Sequence, residues 1–474
     1  MATLIEQHPL YDTLPVGQDV IFTVSNTSVV SSYTNVKFIA EVHISAGQPP
    51  NPSTTTDIVG TFKTTPNNAG VGMFDFRPII ESFVKSDHKA LSNSSYKTDV
   101  NTNLRTPLHL IDKFSGNNNS FRYLAVKFSI EYIDTDGVLI TDSFINSADF
   151  NIINGYLKFT DNLEIGTGSN SNDFGFNMLQ FELSYNNTTA GFLTNAPTNQ
   201  YANLEDYGTV AMLNIAKVFK SGSTLPGVRY ITFTFLLEDG STVNDSIELV
   251  DTADGGFPYT QQDRAYNQIA YAGVFPANLR GWSTVFNSNI NNIVSYTFNV
   301  SSYLGAVAAP ASKAYQVNIN CPTLKGYEPI RLTWLNQWGA WDYYTFTMKS
   351  SKTISTKGST YQQLAGSWNE SAYRLDSFKG GKKAFRVNAT EKITMNTDFV
   401  SESESAWFEE LINSPEVYIL EGFQSDDSNA ALNTYVTPVR LTTSNYTKKT
   451  VANDKLMQYT FEVEKAKTLR TQSI

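Results

Sequence analysis

YLAVKFSIEYIDTDGVLITDS, residues 123–143, alternates apolar and polar side chains, turns at Asp136-Gly137 and alternates again. A period of two marks a strand with one face against a core, and Asp-Gly supplies the positive backbone angles of a tight hairpin turn. The same plan recurs in VRYITFTFLLEDGSTVNDSIEL, residues 228–249, around Asp239-Gly240. Outward from these hairpins, QDVIFTVSNTSV and VKFIAEVHIS within residues 18–45, and KLMQYTFEVEKA near the end, alternate in the same way. The chain therefore reads as mainly β: several β-sandwich-like domains with a few short helices and long polar loops. Helices are expected at two places. In GVGMFDFRPIIESFV, residues 70–84, Asp75 caps a short helix that holds Pro78 in its first turn and puts Ile79, Ile80, Phe83 and Val84 on one face. Later, Ser401 and Glu404 form a capping box, Trp407, Phe408, Leu411 and Ile412 share a face, and Asn413-Ser414-Pro415 stops the helix.

The 474 residues are enough for about three domains. Composition places them at 1–155 (β-sandwich-like), 156–325 (β-rich) and 326–474 (β-rich with one short helix). QPPNPSTTTD, residues 48–57, reads as a loop, and the polar, Asn-rich stretch 85–120 as a long surface excursion. Charged residues make up 17% and aromatics 13%, with a net charge of −10. Such a balance disfavours tight binding to duplex DNA or to an anionic membrane. The single cysteine, Cys321, lies in an alternating stretch and is expected to be a buried structural thiol, with no partner for a disulfide or a zinc site. The first residues, MATLIEQHPLYDTLPVG, have none of the features of a secretory signal, and no stretch approaches the ~20 apolar residues that span a bilayer. An Asn/Thr/Tyr-rich chain suited to the exterior, yet without export signal or disulfides, fits a virion protein that folds and assembles in the host cytoplasm.

Signals for chemistry are weak. The four histidines, His8, His43, His88 and His109, lie at no metal-pairing spacing, and no nucleophile elbow, P-loop or zinc-protease motif is present. Asp134 and Asp136 read as turn formers, because a calcium loop needs a longer run of oxygen ligands ending in a bidentate Glu. GTGSNSND, residues 166–173, lacks the later glycine and the helix of a phosphate cradle. Glu409-Glu410 reads as a solvated helix face. No catalytic group, metal or cofactor is expected.

WLNQWGAWDYYTF, residues 334–346, concentrates three tryptophans, two tyrosines and a phenylalanine. The preceding alternation makes it a hairpin, with Trp334 and Phe346 as a cross-strand core pair and Gly339 free to take the left-handed conformation. Trp338, Trp341 and Asp342 sit at its tip and are the candidate interface residues. The two tryptophans have three available fates: folding back over the hairpin, stacking on a sugar, or packing on a neighbouring subunit.

Five stretches, in order, resemble a known group: GVGMFDFRPIIESFV, FLTNAP (192–197), YAGVFPANLRGW (271–282), WLNQWGAWDYYTF and LINSPEVYIL. Together they resemble tail-associated structural proteins of podoviruses that infect Bacteroidetes, including the crAss-like phages. The resemblance implies a virion protein of the tail or neck, a homo-oligomeric ring of six or twelve copies below the portal. Its implied neighbours are other tail, portal or fibre proteins, with only transient contact with passing DNA and none with membrane. It carries over no catalytic residues, and the group often has a smaller side chain at the position of Trp338 or Trp341. Two other functions compete: a carbohydrate-binding host-recognition module built on the hairpin, and a tail hydrolase with a carboxylate pair assembled by folding.

Overall fold

The structure, a computed structural model, describes residues 3–46, 49–50, 57–90, 107–184, 186–213, 228–248, 268–304, 307–320, 326–368, 371–423, 435–443, 445, 447, 457–467 and 469–470. It is mainly β, 48% strand against 12% helix, in several separate β-sandwich-like sheets with few short helices. Cys321 and, of the 48–57 loop, residues 48 and 51–56 lie outside the described residues. Packing groups the chain into two compact units. The first takes in the described residues of 1–320 with Leu335–Asp342 and Phe423, and the second those of 321–334, Tyr343–Gly422 and 430–474. The sequence-based divisions at 155 and 325 are finer than this grouping.

In the first unit, a seven-stranded sheet runs in the order Thr13–Pro15, Phe150–Ile153, Phe121–Ile133, Thr34–Ser45, Ile58–Thr64, with two short strands paired to its central member. A three-stranded sheet of Leu4–Gln7, Ile21–Ser25 and Val71–Asp75 contributes to the same core. Phe22, Phe74 and Phe76 of the smaller sheet and its following turn meet Phe128 of the larger at ring distances of 5.5 to 6.4 Å. The alternation seen in the sequence thus has a partner surface: Leu124, Val126, Phe128 and Ile130 are fully buried in this core. On the other face Lys127 pairs with Glu41 at 2.7 Å across the strands.

The second hairpin belongs to a separate six-stranded sheet, in the order Asn199–Ala202, Tyr315–Ile319, Ile293–Leu304, Val228–Leu237, Thr242–Glu248, with Val307–Pro310 beside Ile293–Leu304. Ile231, Phe233 and Phe235 point inward, and Phe286 of the short helix Thr284–Asn289 covers Phe235 at 5.6 Å. Both hairpin turns differ in detail from the expected Asp-Gly geometry. Only Gly137 and Gly240 have positive φ, 78° and 81°. The aspartates act through their side chains, Asp134 accepting from the Asp136 and Val138 amides and Asp239 from that of Ser241. These are longer turns closed by a left-handed glycine.

The expected helix after Asp75 is one turn, Arg77–Ile80, with Phe76 at its cap position. Asp75 still accepts from the Arg77 amide at 3.0 Å. The stretch 85–120 is not a surface excursion where it is described. Asp87, Leu108, His109, Leu110, Ile111 and Ser120 are buried, and the Leu108 amide donates to the His88 carbonyl. Its polar side chains are there to satisfy buried backbone, which composition alone does not distinguish from solvation.

The second unit is built on an eight-stranded sheet in the order Trp341–Phe346, Ile330–Leu335, Val417–Leu420, Val436–Leu441, Thr460–Lys465, Gly381–Asn396, Ser350–Gln363, with Leu469–Arg470 paired to Gly381–Asn396; the strand-end residues Leu335, Trp341 and Asp342 group with the first unit. The helix Glu402–Asn413 has the full Ser401/Glu404 capping box. Its Trp407 and Phe408 pack on Trp334, and Phe408 lies 5.5 Å from Phe461. Trp334 and Phe346 are core residues that each meet Phe408 at 6.4 Å. Glu410 is buried and not on a solvated face. It stands three residues beyond Trp407, and that spacing returns a side chain to the same side of a helix.

Phe128 is the shared contact of the first core, so Phe128→Ala is expected to destabilise the first unit by about 3–5 kcal/mol. The check is a urea unfolding curve in which the midpoint falls while the slope is kept.

Candidate interaction surface

The hairpin tip forms around Asn336. Its side-chain oxygen accepts from the Trp338 and Ala340 amides, both at 3.0 Å, while its backbone amide donates to the Ala340 carbonyl at 2.8 Å. Gly339 has φ 73°, and a Cβ there would lie 1.8 Å from the Asn154 carbonyl oxygen. Only glycine fits so close a backbone approach at that angle. The tip is therefore enclosed by its own unit.

Trp338 and Trp341 are each 3% exposed, and Asp342 is equally buried. The Trp338 ring stacks on Phe176 at 5.4 Å and meets Phe181 at 4.8 Å, and its indole N–H donates to Asn195 Oδ1 at 3.1 Å. Trp341 donates to the Asp87 carbonyl at 2.8 Å, with the His109 ring edge-on at 4.9 Å. Asp342 accepts from Thr194 Oγ1 at 2.6 Å and from Asn336 Nδ2 at 3.0 Å. Asn336 also donates to the Leu193 carbonyl at 2.8 Å. The candidate interface set is thus brought together, but inside the protein, where it presents no face to another subunit or to a sugar. The interior supplies an acceptor for each of the two indole N–H groups, so both rings are buried without a lost hydrogen bond.

Two other sequence stretches converge on this place. Leu193, Thr194 and Asn195 belong to FLTNAP, and burial pushes the Tyr315 phenol, which contacts the Phe192 amide at 3.4 Å, well above its usual range. From YAGVFPANLRGW, Tyr271 donates to Asp87 Oδ2 at 3.2 Å, and Asn278 donates to the His109 and Ile111 carbonyls. Among the described residues, no group of three His, Cys, Asp or Glu side chains is placed to hold a metal ion. Among them, too, no helix is long and apolar enough to cross a membrane.

Exposed aromatic surface is found elsewhere, in a part of the second unit that the sequence reading passed over. Ser350–Gln363 and Gly381–Asn396 pair as a ribbon of about 46 Å, at ~3.3 Å per residue over the 14 residues of its shorter strand. Near its root the ribbon is flanked by Thr460–Lys465, paired at Lys392–Asn396, and by Leu469–Arg470, paired at Asn388 and Ala389. Farther out, from Gly358 and Val387 to Gln363 and Gly381, the two strands have only each other among the described residues. A bulge at Phe385 shifts the register there. The outer end carries a second small hairpin, Gly366–Ser367 with Arg374–Leu375. Trp368 is 80% exposed and Phe378 79%, with Leu364, Leu375 and Phe385 also exposed.

Charge marks this arm too. Residues 350–396 hold eight Lys and Arg against three Asp and Glu, a surplus of five. Taking these from the chain's 35 basic and 45 acidic residues leaves 27 against 42, a deficit of fifteen. That contrast, with five aromatics in a Gly/Ser-rich context, was the available sequence signal. At the root, Lys392 Nζ meets Glu462 at 2.9 Å. The hydrogen bond to Glu462 raises Lys392, and the same bond, helped by Thr442, holds Glu462 below the usual carboxylate range.

No protein-family model matches the chain, and no curated protein matches it. Among solved structures, native E. coli alpha-2-macroglobulin is 9% identical with a TM-score of 0.17, over 90% of this chain and 23% of that one. The BSP domain of a biofilm associated protein is 10% identical with a TM-score of 0.16, over 83% of this chain and 63% of that one. The chain spans less than two thirds of either, and likeness at this level carries no argument about fold or function.

Three measurements check these assignments. Gly339→Ala is expected to lower the melting temperature of the first unit by several degrees, since the added carbon meets a carbonyl and the backbone angle is left-handed. Acrylamide is expected to quench Trp368 strongly and Trp338 and Trp341 hardly at all, so Trp368→Phe removes most of the quenchable emission. Glu462 contributes to the root above its unfolded value of about 4.3 and loses that contribution as pH falls through its lower folded value. Lys392 contributes below about 10.4 and loses it as pH rises through its higher folded value. The protection of the Lys392–Asn396 amides, with exchange corrected for its intrinsic pH dependence, is therefore expected to be flat across neutral pH and to fall on acidification.

Proposed function

We propose that the protein is a structural subunit of a bacteriophage tail or neck, assembling as a homo-oligomeric ring in the DNA-ejection conduit below the portal. The observation that carries this reading is the arm. An isolated two-stranded ribbon is marginally stable in water, and this one ends in exposed Trp368 and Phe378. Several large apolar side chains exposed on one element, here Leu364, Trp368, Leu375 and Phe378, favour an interaction site. An assembly subunit provides the cover that such an element lacks among the described residues.

The five stretches similar to tail proteins of Bacteroidetes podoviruses supply the place of assembly, in the virion, beside other tail, portal or fibre proteins. Three of them meet in one buried network and so count together as one structural feature. The net charge of −10 favours a conduit that DNA passes without adhering. The carbohydrate-binding alternative rested on Trp338 and Trp341, and their burial removes the platform it needs.

Two measurements test the reading. Mass spectrometry of purified particles is expected to find the protein, and negative-stain images of disrupted particles or of the purified chain to show annular assemblies of six or twelve copies. A protein missing from the particles ends the proposal.

A further inference from the structure

We propose that the arm tip of one subunit docks on the surface formed by residues 156–179 of a second copy of this chain, a basic aromatic element on an acidic apolar one. The inference rests on the assembly reading above and names its contact.

The arm's own chemistry selects the partner. With a surplus of five positive charges, two arms repel each other, so a symmetric arm-to-arm contact is disfavoured. The rest of the chain is negative by fifteen, so an arm is drawn to the body of another copy. Unlike surfaces then meet, which is a head-to-tail contact that propagates into a closed ring or a filament.

The 156–179 surface matches the tip in both respects. Phe159 is fully exposed, and Leu163, Ile165 and Leu179 are exposed on the first unit. Ile165 lies on a small two-stranded ladder with Phe174, and the Asn177 side chain joins Glu164 to the start of the turn that bears Leu179. The stretch presents Asp161 and Glu164 against Lys158, while Asp173 is buried and meets His8. The hydrogen bond from Tyr11, with a second from Asn177, holds Glu164 below the usual carboxylate range, so it stays negative at neutral pH. Apolar rings at the tip, here Trp368 and Phe378, supply rigid anchors, while Lys382 and Lys383 supply the complementary charge.

The test uses the full chain in three forms: wild type, an arm variant (Trp368→Ser with Phe378→Ser) and an acceptor variant (Phe159→Ser with Ile165→Ser). All four positions are exposed, and circular dichroism with a melting curve verifies that each form folds. Light scattering across the micromolar range is expected to show wild type assembling and each variant associating on the order of 100-fold more weakly. Mixing the two variants is expected to give a two-copy complex and nothing larger, because one intact arm meets one intact acceptor. Lys382→Glu with Lys383→Glu is expected to weaken wild-type assembly, and added salt to do the same.

If the variants assemble as wild type does, the docking inference is overturned while the ring reading stands. A mixture that stays monomeric overturns it as well. So does a wild type that stays monomeric and uses the arm only to bind a fluorescent DNA duplex. Whether the protein belongs to the virion is decided separately, by its presence in particles.

Discussion

A carboxylate buried in a protein interior needs hydrogen-bond donors for both of its oxygens. Asp87 is 2% exposed and meets this condition with four. The Asn118 and Asn119 amides serve one oxygen, and the Ser120 hydroxyl and Tyr271 phenol the other. Its own carbonyl then receives the Trp341 indole. One residue thereby fixes the 118–120 turn, the strand at Tyr271 and the hairpin tip, segments far apart in sequence. The joining of these three segments follows from this single saturated group.

The same requirement explains which parts of the structure were legible beforehand. Alternation identified the hairpins at 123–143 and 228–249, and the capping box at Ser401 and Glu404 located the helix start, because both signals are local. What covers a face is not local. The polar side chains of 85–120 read as solvated, yet Asp87, Ser115, Asn117 and Ser120 are buried as partners for backbone and phenol groups. Trp338 and Trp341 looked like tip residues open to a partner, and their acceptors, Asn195 and the Asp87 carbonyl, stand some 143 and 254 positions away. No spacing rule reaches that far.

The arm was missed for the opposite reason. Its strands are mostly polar on both faces, with Ser, Thr, Lys and Gln in place of the apolar alternation that signals a strand against a core. A ribbon with no core beneath it leaves no such pattern. Its trace in the sequence is compositional, a basic and aromatic island in an acidic chain, and is visible only when charge is summed by segment. The candidate site therefore moved from the stretch richest in tryptophan to one holding a single tryptophan, Trp368, in full view of solvent.

The bulge at Phe385 has a consequence for how this ribbon tolerates change. Inward of it, Gly358 faces Val387, and beyond it Thr360 faces Ala384, so one added residue has reversed which side each position outward of it on that strand occupies. Lys382 and Lys383 owe their present sides to that extra residue. Removing Ala384, Phe385 or Val387 would swap the two lysines across the ribbon and leave the net charge unchanged. In this segment parity of length is itself information, and point substitutions are expected to be gentler than one-codon deletions.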